Sequence, residues 1–374
     1  MVLKQLKTVE IDVEKFENDV KMYGTQALYC LCERHKRFEN DVKMYGTQAL
    51  SHGLKNRIKF ENDVKMYGTQ AALAFIYLFS LFENSRRDIR MIKRTLENFD
   101  ISQICESGQC FRMMQRNGNV YSVIAAGRYL EVEQEGSECV FSCGEEEFEN
   151  FWRGYFDLEK DYSFYISQID PRDGYLKGAA QFGSGIRILR QELWEVIASF
   201  LISQQNNIVR IRRCINNICE RYGEPKVNFR GEEYFAFPEP EALAHLPEDA
   251  LKECNLGYRS KYVVRTAASI ATGETNLENI CRMPYGQAKE ELLKLFGVGE
   301  KVADCICLMG LHHTQAFPVD THIRQALDKH YKRGFPKRRY KGYEGILQQY
   351  IFYWELKNGG KAADAAKQAR KKGA

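Results

Sequence analysis

The sequence predicts an α+β chain in which a small antiparallel β-rich domain precedes an all-helical one. From Ile92 to Cys143, apolar and polar residues alternate between turn signals such as Asn117-Gly118, the period-two pattern of half-buried strands. Beyond Glu145, and most clearly from Arg187 to Gly223, apolar residues recur every three or four positions, as on helices with one buried face. With 374 residues, 44% of them hydrophobic, the chain is long enough for two or three packed domains.

Taken in order, residues 1–90 carry no such pattern. The twelve residues Phe16 to Ala27 (FENDVKMYGTQA) recur letter for letter at Phe38 to Ala49 and Phe60 to Ala71, offset by 22 positions each time. A protein solenoid keeps its apolar face while its residues drift; here the blocks are identical and the spacers unrelated. Twenty-two codons are 66 nucleotides, so a DNA array of constant repeats and variable spacers stays in frame, and the layout resembles a translated CRISPR array. Lys15, Arg37 and Lys59, which precede the blocks, are all codable with a final G, which fits such a repeat. Residues 1–90 are therefore expected to be disordered or spurious, with Met91 the expected native start.

Residues 91–186 are read as the β-rich domain, with FDISQICESGQCFRMMQRNGNVYSVIAAGRYLEVEQEGSECVFSC taken as strands. Residues 187–357 are read as the helical domain. Its expected helices are a pair within Arg187 to Gly223, then Glu239–Leu246, Ser260–Thr272, Tyr285–Leu295, Glu300–Leu311, Thr321–Tyr331 and Tyr343–Leu356. Residues 358–374, Ala- and Lys-rich without an apolar face, are expected to be a disordered basic tail.

Composition narrows the function classes. The net charge of +4 permits a nucleic-acid partner without requiring one. The twelve cysteines show no disulfide-framework spacing and no second Cys or His pair at zinc-finger distance, so reduced thiols and no metal site are expected. The charged N-terminus has no apolar leader core, and the run Ala71 to Phe82 is about half the length of a membrane span.

The chemistry concentrates in LKLFGVGEKVADCICLMGL (Leu293 to Leu311) followed by FPVDTHI (Phe317 to Ile323). Two helical patterns meet at Gly297-Val298-Gly299. Such a turn leaves backbone N–H groups pointing outward at a helix N-terminus, which suits a phosphate directly or through a shared monovalent cation. Lys301 begins the second helix in an otherwise apolar stretch, and Asp320 follows nineteen residues later, before the helix at Thr321. A desolvated lysine amine can act as a nucleophile, and Asp320 can both cap a helix and stabilise nearby positive charge. Taken singly, a lysine there is a surface residue and an aspartate an N-cap; it is their combination with the hairpin that points to catalysis.

These motifs resemble the helix-hairpin-helix DNA glycosylases. From about Met91 to Lys357 the chain is similar to the 8-oxoguanine DNA glycosylases with lyase activity. The resemblance implies base-excision repair: Lys301 forms a Schiff base at C1′, Asp320 stabilises the sugar cation, and the abasic site is cleaved by β-elimination. It implies that the Gly108 carbonyl accepts the N7–H that marks oxidised guanine. Cys305, Pro318, Gln348 and Phe352 would line the base pocket, the last two lying one helical turn apart. Gln205, Arg210, Tyr258 and Arg259 would fill the gap and meet the orphaned cytosine, and His322 would contact phosphate. Gln205 stands where the family's eukaryotic members have Asn, which implies a weaker preference for cytosine.

The implied partner is double-stranded DNA carrying 8-oxoguanine opposite cytosine, bound by a monomer without a required cofactor, beyond a monovalent cation at the hairpin. The implied location is the cytoplasm, at the nucleoid, in a bacterium, or the nucleus in a eukaryote. The iron–sulfur branch of the superfamily carries four cysteines after the catalytic region, whereas none follows Cys307 here. A non-catalytic DNA-binding module, with the hairpin as a phosphate clamp, is the competing reading.

Overall fold

The computed structural model describes residues 91–372, with side chains described through residue 358. The three repeats, the apolar run at 71–82 and the pair Cys30/Cys32 lie outside the described residues.

Strands β1 (Ile92–Thr95), β2 (Met113–Asn117), β3 (Val120–Ala125), β4 (Arg128–Glu135) and β5 (Glu138–Phe141) form one antiparallel sheet in the order β1-β5-β4-β3-β2. The register pairs Val123 with Leu130 and Val132 with Phe141, so the period-two pattern collects these apolar side chains on one buried face. Phe148, Trp152 and Phe156 pack on that face.

One segment read as strand is helical. Helix α1 (Ile101–Glu106) turns Ile101 and Ile104 onto the sheet, and Asp100 caps it by accepting from the Gln103 N–H at 3.0 Å. The cap supplies what a six-residue helix lacks in intrinsic stability.

The helical domain comprises α2 (Tyr162–Ser167), α3 (Gly174–Phe182), α4 (Leu193–Ser203), α5 (Ile208–Tyr222), α6 (Pro240–Ala244), α7 (Ser260–Ala271), α8 (Leu277–Arg282), α9 (Tyr285–Leu293), α10 (Glu300–Met309), α11 (Thr321–His330) and α12 (Glu344–Lys372), with a two-stranded ribbon, β6 (Pro225–Val227) and β7 (Glu233–Phe235), after α5. Helix α4 is its axis: every residue from Leu193 to Ile202 except Glu195 is buried. A helix apolar on nearly all sides must be enclosed by others.

Two boundaries differ from the sequence reading. Tyr162, Leu176, Ala179 and Ala180, on α2 and α3, pack in the helical core, while Leu189 belongs to the core under the sheet. Chain position 186 is therefore not where the two cores divide: periodicity shows that a segment is helical, not which core receives its apolar face. Helix α12 is drawn through to Lys372, across the stretch expected to be a tail. The Ala- and Lys-rich composition that denies this stretch an apolar face also gives it high helix propensity.

Candidate active site

Lys301 sits in the first turn of α10, half-buried, with Nζ 5.4 Å above the ring centroid of Phe200 on α4. Cys305, one turn along α10, is 5% exposed. Burial pushes the Cys305 thiol above its ordinary range against the pull of the Lys301 charge, so at neutral pH it is an uncharged S–H. Charge on Cys305 is the largest influence holding Lys301 above its ordinary range; burial opposes it, and the Cys305 hydrogen bond and the Asp320 carboxylate add to the rise. Because Cys305 is uncharged at pH 7, that largest influence is absent there. What remains sets burial, which favours the free amine, against the Cys305 hydrogen bond and Asp320, which favour the ammonium.

Asp320 is the N-cap of α11, its Oδ1 accepting from the Ile323 N–H at 2.8 Å. That bond fixes the carboxylate at a helix N-terminus, and Asp320 acts on Lys301 by charge through space.

The residues expected to line a base pocket gather around α12. Gln348 is 4% exposed and donates from Nε2 to the Pro318 carbonyl at 3.1 Å, while its Oε1 is buried with no partner. An unpartnered buried amide oxygen suits an incoming N–H donor. Gly108 lies against Phe352: a Cβ at position 108 would sit 3.2 Å from Phe352 Cε1, and its φ of +73° is itself poorly open to side-chain-bearing residues. Exposed His322 packs edge-on to Phe352, ring centroids 6.0 Å apart, and so braces the pocket wall as well as facing outward. Lys301, Asp320, Cys305, Pro318, Gln348, Phe352 and Gly108 thus come from α10, α11, α12, the loop before α11 and the turn after α1.

The DNA-facing candidates form a second group. Chain direction changes at Gln204 to Asn207, between α4 and α5, with exposed Gln205 at φ +47°. Asn207 caps α5 by accepting from the Arg210 N–H at 2.9 Å, which leaves the Arg210 side chain exposed. Tyr258 is 45% exposed. In the hairpin, Gly297 has φ +91°, and a Cβ there would lie 2.7–2.9 Å from ring atoms of Tyr262. Val298 is buried as the hairpin's anchor, and Gly299 is the N-cap of α10 without a side-chain cap, so the first N–H groups of α10 stay available.

Arg259 departs from expectation. It is 4% exposed, donates from Nε to the Gln204 carbonyl at 2.7 Å and from Nη2 to the Gln205 carbonyl at 2.9 Å, and lies over the Tyr258 ring. Its guanidinium holds the Gln204-Gln205 turn.

The sequence reading also missed Phe200 and Gln204. Gln204 Nε2 donates to the Gly297 carbonyl at 3.0 Å, tying the gap-side turn to the hairpin. Only the pairing of two Gln residues at 204 and 205 hinted that this position differs from its neighbours.

Two open clefts lie elsewhere, one of about 480 Å³ bordered by Arg265, Asn276 and Phe296, the other of about 690 Å³ bordered by Tyr175, His330 and Arg339; neither is lined by Lys301 or Asp320. Among the described residues, no three His, Cys, Asp or Glu side chains are grouped to hold a metal, and no helix is long and apolar enough to cross a membrane.

A half-buried amine, a helix-capping carboxylate and a glycine hairpin within one helical domain fit the class of helix-hairpin-helix DNA glycosylases. The comparisons agree: residues 91–197 match the 8-oxoguanine DNA glycosylase N-terminal domain, and residues 198–340 match the HhH-GPD superfamily base excision DNA repair protein. A Clostridium acetobutylicum 8-oxoguanine glycosylase/lyase, solved with double-stranded DNA containing cytosine opposite 8-oxoguanine, is 38% identical with a TM-score of 0.69, over 72% of this chain and 96% of that one. A probable N-glycosylase/DNA lyase of Methanothermobacter thermautotrophicus is 32% identical over 54% of this chain and 72% of that one. The N-glycosylase/DNA lyase of Saccharomyces cerevisiae is 41% identical over 40% of this chain, and the match spans 42% of the yeast protein. The chain belongs to the 8-oxoguanine DNA glycosylase/lyase family of base-excision repair enzymes.

Proposed function

We propose that this chain, acting as a monomer, removes 8-oxoguanine paired with cytosine from duplex DNA and cleaves the abasic strand. The observation that carries this reading is the half-buried Lys301 amine between Phe200 and Cys305, with Asp320 close enough to act on its charge.

The free amine of Lys301 attacks C1′ as the bond to N9 breaks, and the bonding pair leaves with the base, which takes up a proton. Asp320 offsets the positive charge that builds on the sugar. Loss of a proton from the attached nitrogen and opening of the sugar ring leave a Schiff base. Loss of the 2′ proton then expels the 3′ phosphate by β-elimination. The flipped base lies against Phe352, its N7–H on the Gly108 carbonyl and its other N–H groups toward Gln348 Oε1. Arg210, Gln205 and Tyr258 occupy the space it leaves. Gly297, Val298, Gly299 and His322 face phosphate, with a monovalent cation at the hairpin; replacing potassium by tetramethylammonium in binding assays tests the cation.

Borohydride trapping of the full chain on duplex DNA containing 8-oxoguanine opposite cytosine tests the chemistry. Wild type is expected to form a covalent adduct and Lys301→Gln none. An adduct that persists in Lys301→Gln moves the nucleophile elsewhere, and none from wild type leaves a DNA-binding module.

A further inference from the structure

We propose that Gln349, assisted by Gln109 and Gln191, is a specificity-determining positioning residue that keeps the Gly108 carbonyl turned toward the base pocket and so sets the preference for oxidised over normal guanine. The inference rests on the reading of Gly108 given above.

At position 7, 8-oxoguanine carries an N–H donor and guanine a lone pair. A carbonyl facing that edge attracts the first and repels the second. The peptide joining Gly108 to Gln109 carries the Gly108 C=O on one side and the Gln109 N–H on the other. If that peptide flipped, a donor would replace the acceptor, and the pocket would favour guanine. Glycine at 108 leaves ψ free on its side of that peptide, so selectivity has to be secured by Gln109 and by what holds the neighbouring peptides.

Both neighbours are held. On one side, the Ser107 carbonyl accepts from Gln349 Nε2 at 2.6 Å. On the other, the Gln109 carbonyl accepts from Gln191 Nε2 at 2.9 Å. The Gln109 side chain is itself saturated: Nε2 donates to Ser107 Oγ at 2.8 Å and to the Arg187 carbonyl at 2.9 Å, and Oε1 accepts from the Leu189 N–H at 2.9 Å. Ser107, Gln109 and Gln349 are 0%, 1% and 2% exposed, so water cannot take over these bonds. The Gly108 carbonyl accepts no hydrogen bond among the described residues, which leaves it for a ligand. The clamp also joins the pocket's two walls, because adjacent residues of α12 reach opposite ways: Gln348 to Pro318, Gln349 to Ser107.

The test uses the full chain carrying Lys301→Gln, which binds without turning over. Its affinities for 8-oxoguanine:cytosine and guanine:cytosine duplexes give a preference ratio. Gln349→Met keeps the side-chain length and removes the donor; it is expected to lower the ratio on the order of ten-fold, since it frees a buried carbonyl to seek another partner. Gln191→Met, at a half-buried position, is expected to act in the same direction and decides the matter if Gln349→Met does not fold. In chains with Lys301 intact, cleavage of a preformed abasic site reads no base, and Gln349→Met should retain it. An unchanged ratio, or a ratio that falls together with abasic-site cleavage, overturns the positioning role. Gly108→Ala separates the two claims: if it keeps the ratio, the reading of Gly108 itself fails; if it loses the ratio while both Met variants keep it, only the clamp fails.

Discussion

Two glycine turns, at Gly108 and Gly297, are wired in opposite senses. Gly108 and Gly297 both have positive φ, and each lies against an aromatic ring, Phe352 and Tyr262 respectively. At Gly297 the carbonyl is consumed by Gln204 Nε2, so the hairpin offers N–H groups and attracts anions. At Gly108 the flanking carbonyls are consumed and its own is left free, so the turn offers an acceptor and attracts a donor. On the reading proposed above, the same backbone device serves phosphate in one place and an oxidised base in the other, and the difference lies in which carbonyl a glutamine occupies.

The comparison breaks most readily at the hairpin. Gly297→Ala would place a Cβ within 2.9 Å of the Tyr262 ring at φ +91°. Strain of this kind costs about 1–3 kcal/mol, and the hairpin must shift to relieve it. The expected outcome is a large loss of affinity, on the order of ten- to a hundred-fold, for damaged and undamaged duplex alike, read by fluorescence anisotropy. Loss confined to 8-oxoguanine DNA would mean that the hairpin reads the base after all.

At the other turn, the effect should be smaller in scope and sharper in kind. Gly108→Ala meets the Phe352 edge at 3.2 Å, a contact that a modest ring shift can relieve, but the backbone strain remains. Affinity for 8-oxoguanine DNA should fall about ten-fold while affinity for undamaged duplex stays within a factor of about two, measured side by side in the Lys301→Gln background. A uniform loss would show the two turns to be one structural unit rather than two sites.

How far the sequence could reveal this follows the same division. The hairpin, Lys301 and Asp320 lie within about thirty residues of one another, and their spacing alone suggested phosphate binding and amine chemistry. Gly108 alone reads as a turn glycine, and its role came only from family resemblance. Gln349 was invisible because its partner is 242 positions away, and a glutamine beside a pocket residue reads as solvated until the fold buries it. The burial of Arg259 was illegible for a related reason: a DNA-facing loop predicts an exposed arginine, and nothing local shows that the carbonyls of Gln204 and Gln205 bind its guanidinium. The strands were legible through their alternation, but α1 was not, since six residues with one Asp cap carry too little period to separate helix from strand.

The smallest expected effect tests the wiring itself. Gln204→Met removes the donor to the Gly297 carbonyl, along with a longer bond to the Leu201 carbonyl at 3.4 Å; Gly297 is only half-buried, so water can replace the lost donor. A net bond of this kind is worth about 0.5–1.5 kcal/mol, which predicts a several-fold weakening on any duplex. Freed from Gln204, the Gly297 carbonyl regains freedom to turn toward the phosphate and repel it, so the loss should be greatest at low salt, where phosphate contacts matter most. The preference for 8-oxoguanine over guanine should not move, because the bonds around Gly108 are untouched. If Gln204→Met instead lowers the preference and spares overall affinity, the link from α4 to the hairpin carries base discrimination, and the separation between an anion-binding turn and a donor-reading turn is wrong.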